Sequence, residues 1–329
     1  MSKHIWVGFD LGGTKMLAVA FNQQMEAAGR KRRKTKAYEG AEAGLDRIVR
    51  TISDALDDAG AGTDALAGIG IGTPGPLDLK KGLVLDAPNL GWKNVHLKKH
   101  LAGAFGCPVV VANDVDAGLY AEYRFGAARN AHCALGVFPG TGIGAGCVYE
   151  GMLIQGTRHS CMEIGHIPLA PGGQLCGCGG RGCLETVASR LVISAQAAAA
   201  ASRGQAPHLL ERAGTDMANM RSRALAAAIE QGDTAVENIV RDAARWLGRG
   251  LAVAVNLMAP DTVVLGGGLV EAMPTLYLTE VEHAARALSL PSLRDTFALR
   301  AAEMGDDATA TGAAAWARYM LDADRRPEA

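Results

Sequence analysis

The chain has 329 residues, enough for two domains of ordinary size that each bury their own core. Its 33 basic and 34 acidic residues give a formal charge of −1, which excludes a strong overall field for nucleic acid or an anionic membrane. The 42 glycines and an aromatic content of 5% favour glycine-rich ligand loops and alanine-packed helices over an all-β barrel.

The cysteines and the chain start predict where the protein works. The chain has seven cysteines, which is an odd number. Four of them lie in apolar or glycine-rich surroundings, namely Cys107, Cys133, Cys147 and Cys161, and this pattern is typical of a reducing compartment. The chain enters an apolar strand at Ile5 without a leader pattern, and no apolar run approaches the length of a membrane span. We therefore expect a cytoplasmic protein with small-molecule partners.

Two apolar strand patterns at the start of the chain enclose a glycine-rich turn that begins at Asp10. Four residues of this turn could bind a phosphate through backbone N–H groups, a hydroxyl and an ammonium group, namely Gly12, Gly13, Thr14 and Lys15. Asp10, at the end of the strand, could hold a hydrated magnesium ion. An ordinary hairpin turn has a similar composition, so this motif alone does not distinguish a phosphate-binding turn from a plain hairpin.

A basic run follows at residues 30–34 and 36. It could be a nucleic-acid patch, but no aromatic residues are interleaved, so a solvated strand edge is favoured. The next strand ends in Gly72-Thr-Pro-Gly75-Pro76, a rigid turn that could approach a ligand or serve only as a turn.

Two further places in the chain carry polar residues that could bind a ligand. Asn89 lies in a polar and aromatic loop, and an apolar strand over 109–112 ends on Asn113 and Asp114. Side chains at the carboxyl ends of parallel strands face the ligand crevice. The alternative is a helix N-cap, although a cap needs only one of the two residues.

The strand, glycine turn and strand pattern returns roughly 130 residues after its first copy, at Gly140, Thr141 and Gly142. The repeat predicts a duplicated two-lobed fold with a phosphate-binding turn in each half. Neither copy leads directly into a helix or contains Gly-Lys-Ser/Thr, so Rossmann and P-loop sites are disfavoured.

The most specific pattern contains three cysteines within eight residues and a histidine ten residues upstream. His166, Cys176, Cys178 and Cys183 predict a closed, four-coordinate structural zinc site, with buried free thiols as the alternative. The metal would also hold the flanking acids, Glu163 and Glu185, in place.

The remaining segments predict mainly helices. One helix is expected from Glu185 to Arg203, and Asp233 is expected to cap a long helix that ends before Pro260. A strand over 262–265 leads into Gly266, Gly267 and Gly268, whose backbone could lie beneath a planar ligand or form a common loop.

The motif Glu163-x-Gly-His166 followed by Cys176-x-Cys178-Gly-x-x-Gly-Cys183-x-Glu185 resembles the signature of the ROK family, which contains bacterial sugar kinases and sugar-responsive repressors. The resemblance implies an α/β, two-lobed actin/hexokinase-like (ribonuclease H-like) fold with a duplicated core and a zinc loop. Residues 1–115 are expected to form a smaller lobe, to which the 306–329 helix returns, and residues 116–305 a larger lobe carrying the zinc loop.

The same resemblance implies ATP-dependent phosphorylation of a hexose, with glucose at its 6-hydroxyl as the default and Asp114 as general base. Fructose, mannose and N-acetylhexosamines remain alternatives. The expected sugar ligands are Gly75, Asn89, Asn113, Asp114, Glu163, His166 and Glu185. The expected nucleotide ligands are Asp10, Gly12, Gly13, Thr14, Lys15, Gly140, Thr141, Gly142, Gly266, Gly267 and Gly268.

We also expect a structural zinc ion, a magnesium ion bound with ATP, and a homodimer. A repressor is less favoured, because the first strand begins at Ile5 and leaves no room for a helix-turn-helix module. A zinc hydrolase would need an open metal position, which one histidine and three cysteines do not leave.

Overall fold

A computed structural model describes residues 4–323 of the chain. It contains two compact units. The first comprises the chain up to Asn130, the segment Gly151–Cys161 and the chain from Met304, and the second comprises Ala131–Glu150 and Met162–Glu303. No helix within residues 4–323 is both long and apolar enough to cross a membrane.

The strands in the described range are β1 (Ile5–Leu11), β2 (Lys15–Phe21), β3 (Ala27–Lys34), β4 (Leu66–Thr73), β5 (Leu77–Asp78), β6 (Leu83–Ala87), β7 (Trp92–Val95), β8 (Val109–Asn113), β9 (Cys133–Pro139), β10 (Ile143–Tyr149), β11 (Met152–Leu153), β12 (Thr262–Leu265) and β13 (Ala298–Ala301). The helices are α1 (Gly40–Asp58), α2 (Leu97–Phe105), α3 (Asp114–Phe125), α4 (Glu185–Ala188), α5 (Arg190–Ser202), α6 (Pro207–Ala213), α7 (Ser222–Glu230), α8 (Thr234–Met258), α9 (Gly268–Ala272), α10 (Pro274–Leu288) and α11 (Ala308–Ala323).

The main sheet of the first unit has the strand order β3-β2-β1-β4-β8. Strands β1, β2 and β3 form an antiparallel meander, whereas β4 and β8 run parallel to β1. The return from β3 to the parallel strand β4 needs a crossover, which α1 provides. Its buried residues Ile48, Ile52 and Leu56 recur at helical spacing and join the core on one face of the sheet.

Helix α11 covers the opposite face of this sheet. Its Ala310, Ala314 and Ala317 belong to a second buried cluster with side chains of β1 and β2. The approach is so close that a Cβ atom on Gly8 would lie 1.9 Å from the carbonyl oxygen of Ala310. A glycine is therefore needed at this point of β1, and small residues in α11 allow the helix to lie directly on the sheet.

Helix α3 also lies with the first unit. A Cβ atom on Gly312 of α11 would be 1.7 Å from the carbonyl oxygen of Ala117 in α3, so the backbones of the two helices nearly touch. This packing extends the first unit to Asn130. The division of the chain into lobes at residue 115 stays a prediction.

In the second unit, four strands have the order β10-β9-β12-β13, with β9 and β10 antiparallel and β12 parallel to both its neighbours. This arrangement is equivalent to β2-β1-β4-β8 of the first unit. The two glycine turns occupy equivalent places, since one joins β1 to β2 and the other joins β9 to β10. The predicted duplicated α/β core is confirmed.

Two helix predictions for the second unit are corrected. The expected helix from Glu185 to Arg203 is broken at Ser189, whose hydroxyl caps α5 by accepting the N–H of Val192. Asp233 precedes α8 but makes no side-chain cap there. Its buried carboxylate instead accepts the N–H groups of His208 and Leu209 at the start of α6.

Candidate active site

The carboxyl ends of the parallel strands bring several predicted site residues to one edge of the first sheet. Asp10 of β1 lies opposite Gly72 of β4, and Thr73 of β4 lies opposite Asn113 of β8. Asp114 follows immediately as the first residue of α3. The strand register therefore places Asp10, the turn after β4 and the Asn113–Asp114 pair side by side, as expected for a parallel sheet.

The structure assigns the helix-cap role to Asn113. Its Oδ1 accepts the N–H groups of Val115 at 2.9 Å and Asp116 at 3.3 Å. Asp114 Oδ1 also accepts the Val115 N–H at 3.0 Å, and its carbonyl oxygen accepts the hydroxyl of Thr309 at 3.3 Å. Because Asn113 supplies the cap, capping does not by itself account for an aspartate at position 114.

Asp10 occupies an electrostatically unfavourable position for a carboxylate. Burial, and then the nearby Asp114 carboxylate, raise its pKa from 3.8 to about 7. Arg32 lowers the pKa and Asp306 raises it by smaller amounts. Two acids therefore lie close together at a poorly solvated sheet edge, and oxygen ligands of this kind suit a magnesium ion. The first unit thus fits the predicted magnesium site.

The first glycine turn is held by its neighbours. The N–H of Gly12 donates to the carbonyl oxygen of Lys15 at 3.1 Å, and Thr35 bonds to the turn through its hydroxyl, which donates to Gly12 O at 2.6 Å. A Cβ atom on Gly13 would lie 3.1 Å from the carbonyl oxygen of Asn89. The turn and the Asn89 loop are therefore adjacent, while Thr14 and Lys15 are exposed.

Gly75 lies in the turn that follows β4. It is half-buried and precedes a cis peptide bond to Pro76. The turn thus begins at the same sheet edge as Asp10, since it leaves β4 directly after Thr73.

In the second unit, the four predicted zinc ligands converge. Their ligand atoms all lie within 4.8 Å of one another. Cys176 Sγ is 3.6 Å from His166 Nδ1, and Cys178 Sγ is 3.7 Å from Cys183 Sγ. Ligands of a tetrahedral zinc with bonds of about 2.0–2.3 Å lie about 3.5–3.8 Å apart, so the donor set fits this metal.

The backbone of the zinc loop depends on one glycine in particular. Gly182 has a φ of +71°, and a Cβ atom there would lie 1.9 Å from the carbonyl oxygen of Ala170. Isolated bridges between Pro168 and Cys183, and between Leu175 and Arg181, close the loop. The loop therefore has a folded frame of its own around the four ligands.

The two flanking acids differ in their placement. Glu185 is half-buried, with Oε1 accepting the thiol of Cys176 at 2.9 Å and lying 3.8 Å from His166 Nδ1. Glu163 is exposed and directly precedes the short 3₁₀ helix Ile164–His166. Glu185 is thus fixed against the metal ligands, and Glu163 is positioned through the turn that carries His166.

The second glycine turn lies against other predicted ligands of the second unit. The N–H of Gly140 donates to Gly142 O at 2.8 Å, and a Cβ atom on Gly142 would lie 2.8 Å from Glu185 Oε2. A Cβ atom on Gly267 would lie 3.1 Å from the carbonyl oxygen of Pro139. The turn, the Gly266–Gly268 segment and the zinc loop are therefore neighbours.

Sequence analysis missed one residue at this turn. Arg190, the first residue of α5, donates from its backbone N–H to Gly140 O at 2.9 Å and from Nη2 to Thr141 Oγ1 at 3.0 Å. Its guanidinium adds positive charge beside the turn. The available signal was the cap residue Ser189, which marks the start of a helix directly before Arg190.

Known proteins of one family resemble this chain along nearly its whole length. The family model of the ROK family matches residues 6–320. The glucokinase of Halalkalibacterium halodurans is 33% identical over 320 residues, which cover 95% of this chain and 94% of the relative. A solved structure of a ROK family glucokinase from Streptomyces griseus, in complex with glucose and AMPPNP, is 32% identical, with a TM-score of 0.82 and coverage of 96% and 99%.

Repressors are also among the relatives. The DNA-binding transcriptional repressor Mlc of Escherichia coli is 30% identical over 271 residues, which cover 82% of this chain but only 65% of that protein. The kinase relatives, by contrast, match along almost their entire length. From the family match and these relatives, the chain belongs to the ROK family, as one of its sugar kinases.

Proposed function

We propose that this protein transfers the terminal phosphoryl group of ATP to the 6-hydroxyl of a hexose, with glucose as the first candidate and Asp114 as general base. The observation that carries the proposal is the position of Asp114 beside Asp10 at the carboxyl edge of the first sheet. The choice of glucose and ATP is supported by the glucose and AMPPNP complex of the Streptomyces griseus relative.

Phosphoryl transfer requires in-line positioning and neutralisation of phosphate charge more than covalent chemistry. The two glycine turns offer backbone N–H donors, and Lys15 and Arg190 add one positive charge to each turn. Asp10 would hold the magnesium ion. When bound, magnesium neutralises charge on the phosphate oxygens.

Asp114 would act on the attacking hydroxyl. Its carboxylate accepts the proton as the sugar oxygen forms a bond to phosphorus and the bond from phosphorus to the ADP oxygen breaks. Asp114 is the first residue of α3, so its side chain lies at the positive end of the helix dipole. The proton later leaves Asp114 for solvent, which restores the base.

The sugar hydroxyls would bind to the polar residues gathered in each unit. Carboxylates suit this task because each oxygen accepts hydroxyl hydrogen bonds, which favours Glu163 and Glu185. His166 faces Cys176 through Nδ1, so its Nε2 can bond to a hydroxyl while the histidine remains a metal ligand. Zinc would be held by His166 and the three cysteines and supplies a rigid loop when bound.

The substitution Asp114→Asn tests the assignment. It keeps the size of the side chain but removes the base, so kcat should fall roughly 10²–10⁴-fold while the dissociation constant for the sugar changes little. Steady-state assays of ADP release and calorimetric titration with glucose measure both quantities.

Asp46→Asn makes the same chemical change at an exposed position of α1 and should leave kcat unchanged. Near-normal turnover of Asp114→Asn would contradict the general-base role, and a loss confined to KM would make Asp114 a sugar ligand only. A panel of fructose, mannose and N-acetylhexosamines in the same assay decides which hexose is preferred.

A further inference from the structure

The first unit contains a cavity whose lining includes none of the predicted sugar or nucleotide ligands. It has a volume of about 330 Å³ and lies where the end of α3 and the turn between β2 and β3 meet the carboxyl-terminal half of α11. We call it the α3–α11 pocket, and its lining includes Met25, Arg124, Phe125, Arg318, Tyr319 and Asp322. This volume lies at the lower end of the range of small-molecule sites, roughly 300–1,000 Å³.

Arg124 brings a positive charge without an ion-pair partner to the pocket. Its side chain is exposed, and no carboxylate within residues 4–323 forms an ion pair with it. Its Nη1 donates to the hydroxyl oxygen of Tyr120 at 3.4 Å, and its Cζ lies 6.0 Å from the ring centre of Phe125. A guanidinium carries five N–H donors, so most of those of Arg124 are available to a ligand.

Arg318 supplies a second guanidinium, which is already fixed in place. Its Nη1 donates to the carbonyl oxygen of Gln23 at 2.6 Å, and its Nε lies 3.7 Å from Asp322 Oδ2, beyond hydrogen-bond distance. The two side chains of this ion pair are 38% and 46% exposed, so the pair contributes little stability. A ligand carboxylate can therefore replace Asp322 as the partner of Arg318 at little cost.

Aromatic and apolar side chains form another wall of the pocket. Tyr319 stacks on Trp316 with ring centres 5.6 Å apart, and Tyr120 meets both rings edge-on at 6.5 and 5.1 Å. This packing fixes the ring of Tyr319. Met25 and Phe125 are half-buried and add a thioether and a further ring. Methionine sulfur and aromatic rings both make favourable contacts with a flat aromatic group.

Structural roles explain these residues only in part. A cation in the last turn of α3 interacts favourably with the helix dipole, which accounts for Arg124. It does not account for Arg318, because α11 has no basic residue in its last turn. Guanidinium groups bind the two oxygens of a carboxylate in a bidentate geometry. Two of them from different helices, beside an aromatic wall, match a carboxylate attached to a flat apolar group.

The two helices that form the pocket hold Asp114 at their opposite ends. Asp114 begins α3, whose 12 residues span about 18 Å to the pocket. Thr309, in the first turn of α11, donates its hydroxyl to Asp114 O at 3.3 Å. Between these ends the backbones of the helices nearly touch, at Gly312 and Ala117. A change in helix packing at the pocket therefore reaches Asp114 through a closely packed pair.

We propose that the α3–α11 pocket binds a small aromatic carboxylate and that the bound ligand raises kcat. The carboxylate would bridge Arg124 and Arg318, which restrains the helix pair that carries Asp114. The two cations and one anion of the lining leave an excess of one positive charge, which matches a monoanion and disfavours a polyanionic nucleotide. The effect on kcat rests on the proposed role of Asp114, whereas the binding itself does not.

Calorimetric titration of the full chain with phenylacetate tests the pocket. Phenylacetamide keeps the ring and replaces the carboxylate, and acetate lacks the ring, so both should bind at least about tenfold more weakly. Arg124→Gln should weaken phenylacetate binding by about tenfold, because it removes the charged donors. Arg129→Gln makes the same chemical change at an exposed position outside the pocket and should bind like the wild type.

Steady-state assays of ADP release measure the coupling to catalysis. Saturating phenylacetate should raise kcat of the wild type and of Arg129→Gln about fivefold, at the low end of typical allosteric couplings, and should leave kcat of Arg124→Gln unchanged at the same concentration. An unchanged or lowered kcat would refute the regulatory role. Equal phenylacetate affinity in the two arginine variants, or equal affinity of the wild type for phenylacetamide, would refute the site. Failure of the proposed function would instead appear as normal turnover of Asp114→Asn, on which the calorimetry does not depend.

Discussion

The substitution Asp10→Asn should stabilise the magnesium-free protein, by an amount that grows as the pH rises from about 4 to about 7. The pKa of Asp10 rises from 3.8 to about 7 in the folded state, mainly through burial and then through the charge of Asp114. At 1.36 kcal/mol per pKa unit, this rise corresponds to at most about 4 kcal/mol of lost stability when Asp10 is ionised. Asparagine keeps the shape of the side chain and carries no charge.

The direction of the pH dependence of stability follows from the protons that the folded and unfolded states bind. Between about pH 4 and pH 7 the folded state retains a proton on Asp10 that the unfolded state releases, so the free energy of unfolding of the wild type falls as the pH rises. Above about pH 7 the full penalty is present. The variant has no such dependence at this position, so the two proteins should be similar near pH 4.5 and differ most near pH 8.

Thermal unfolding followed by tryptophan fluorescence provides the assay. Trp6, Trp92 and Trp316 lie in the first unit and only Trp246 lies in the second, so the signal reports mainly on the unit that contains Asp10. A gain of about 4 kcal/mol would raise Tm by about 10 °C for a unit of this size. Magnesium should raise the Tm of the wild type at pH 8 more than that of the variant.

Asp46→Asn, at an exposed site of α1, is the control and should give the same small difference at both pH values. A difference between wild type and Asp10→Asn that does not change from pH 4.5 to pH 8 would refute the argument, because it would show that Asp10 is not kept protonated by its surroundings.

Two other substitutions test the zinc loop and the helix packing. Cys178→Ser should reduce bound zinc below one ion per chain and lower Tm, since metal binding contributes to folding, and elemental analysis with the same melting assay measures both effects. Stoichiometric zinc in the variant would contradict this ligand assignment. Gly312→Ala would place a Cβ atom 1.7 Å from Ala117 O and should cost roughly 1–3 kcal/mol, whereas Gly103→Ala meets no atom within 4 Å and should be neutral or slightly stabilising. Equal Tm values for the two alanine variants would contradict the close contact between α3 and α11.

Local patterns in the sequence were sufficient for several features of this protein. The zinc ligands lie within one short loop, so their spacing alone predicted the cluster that the structure forms. The two glycine turns were recognisable because each lies between apolar strands, and their repetition predicted the duplicated core. The family resemblance depended on the same local motifs and is confirmed by the match over residues 6–320.

Other features were decided only by the hydrogen bonds of the folded chain. The sequence offered Asn113 and Asp114 equally as a helix cap, and only the hydrogen bonds to Val115 and Asp116 assigned the cap to Asn113. Asp233 met the sequence rule for a cap of α8, yet its carboxylate binds the start of α6, which packing alone brings within reach.

The electrostatics of the site were likewise decided by the tertiary structure. The raised pKa of Asp10 requires its burial and the carboxylate of Asp114, which comes close only because β1, β4 and β8 align in parallel register. The basic run of β3 became one wall of a groove because α1 crosses back beside it and adds Arg47 and Arg50. A sequence fixes hydrogen-bonding and charge types locally, whereas desolvation and charge proximity arise only when the crossover connections bring separate elements together.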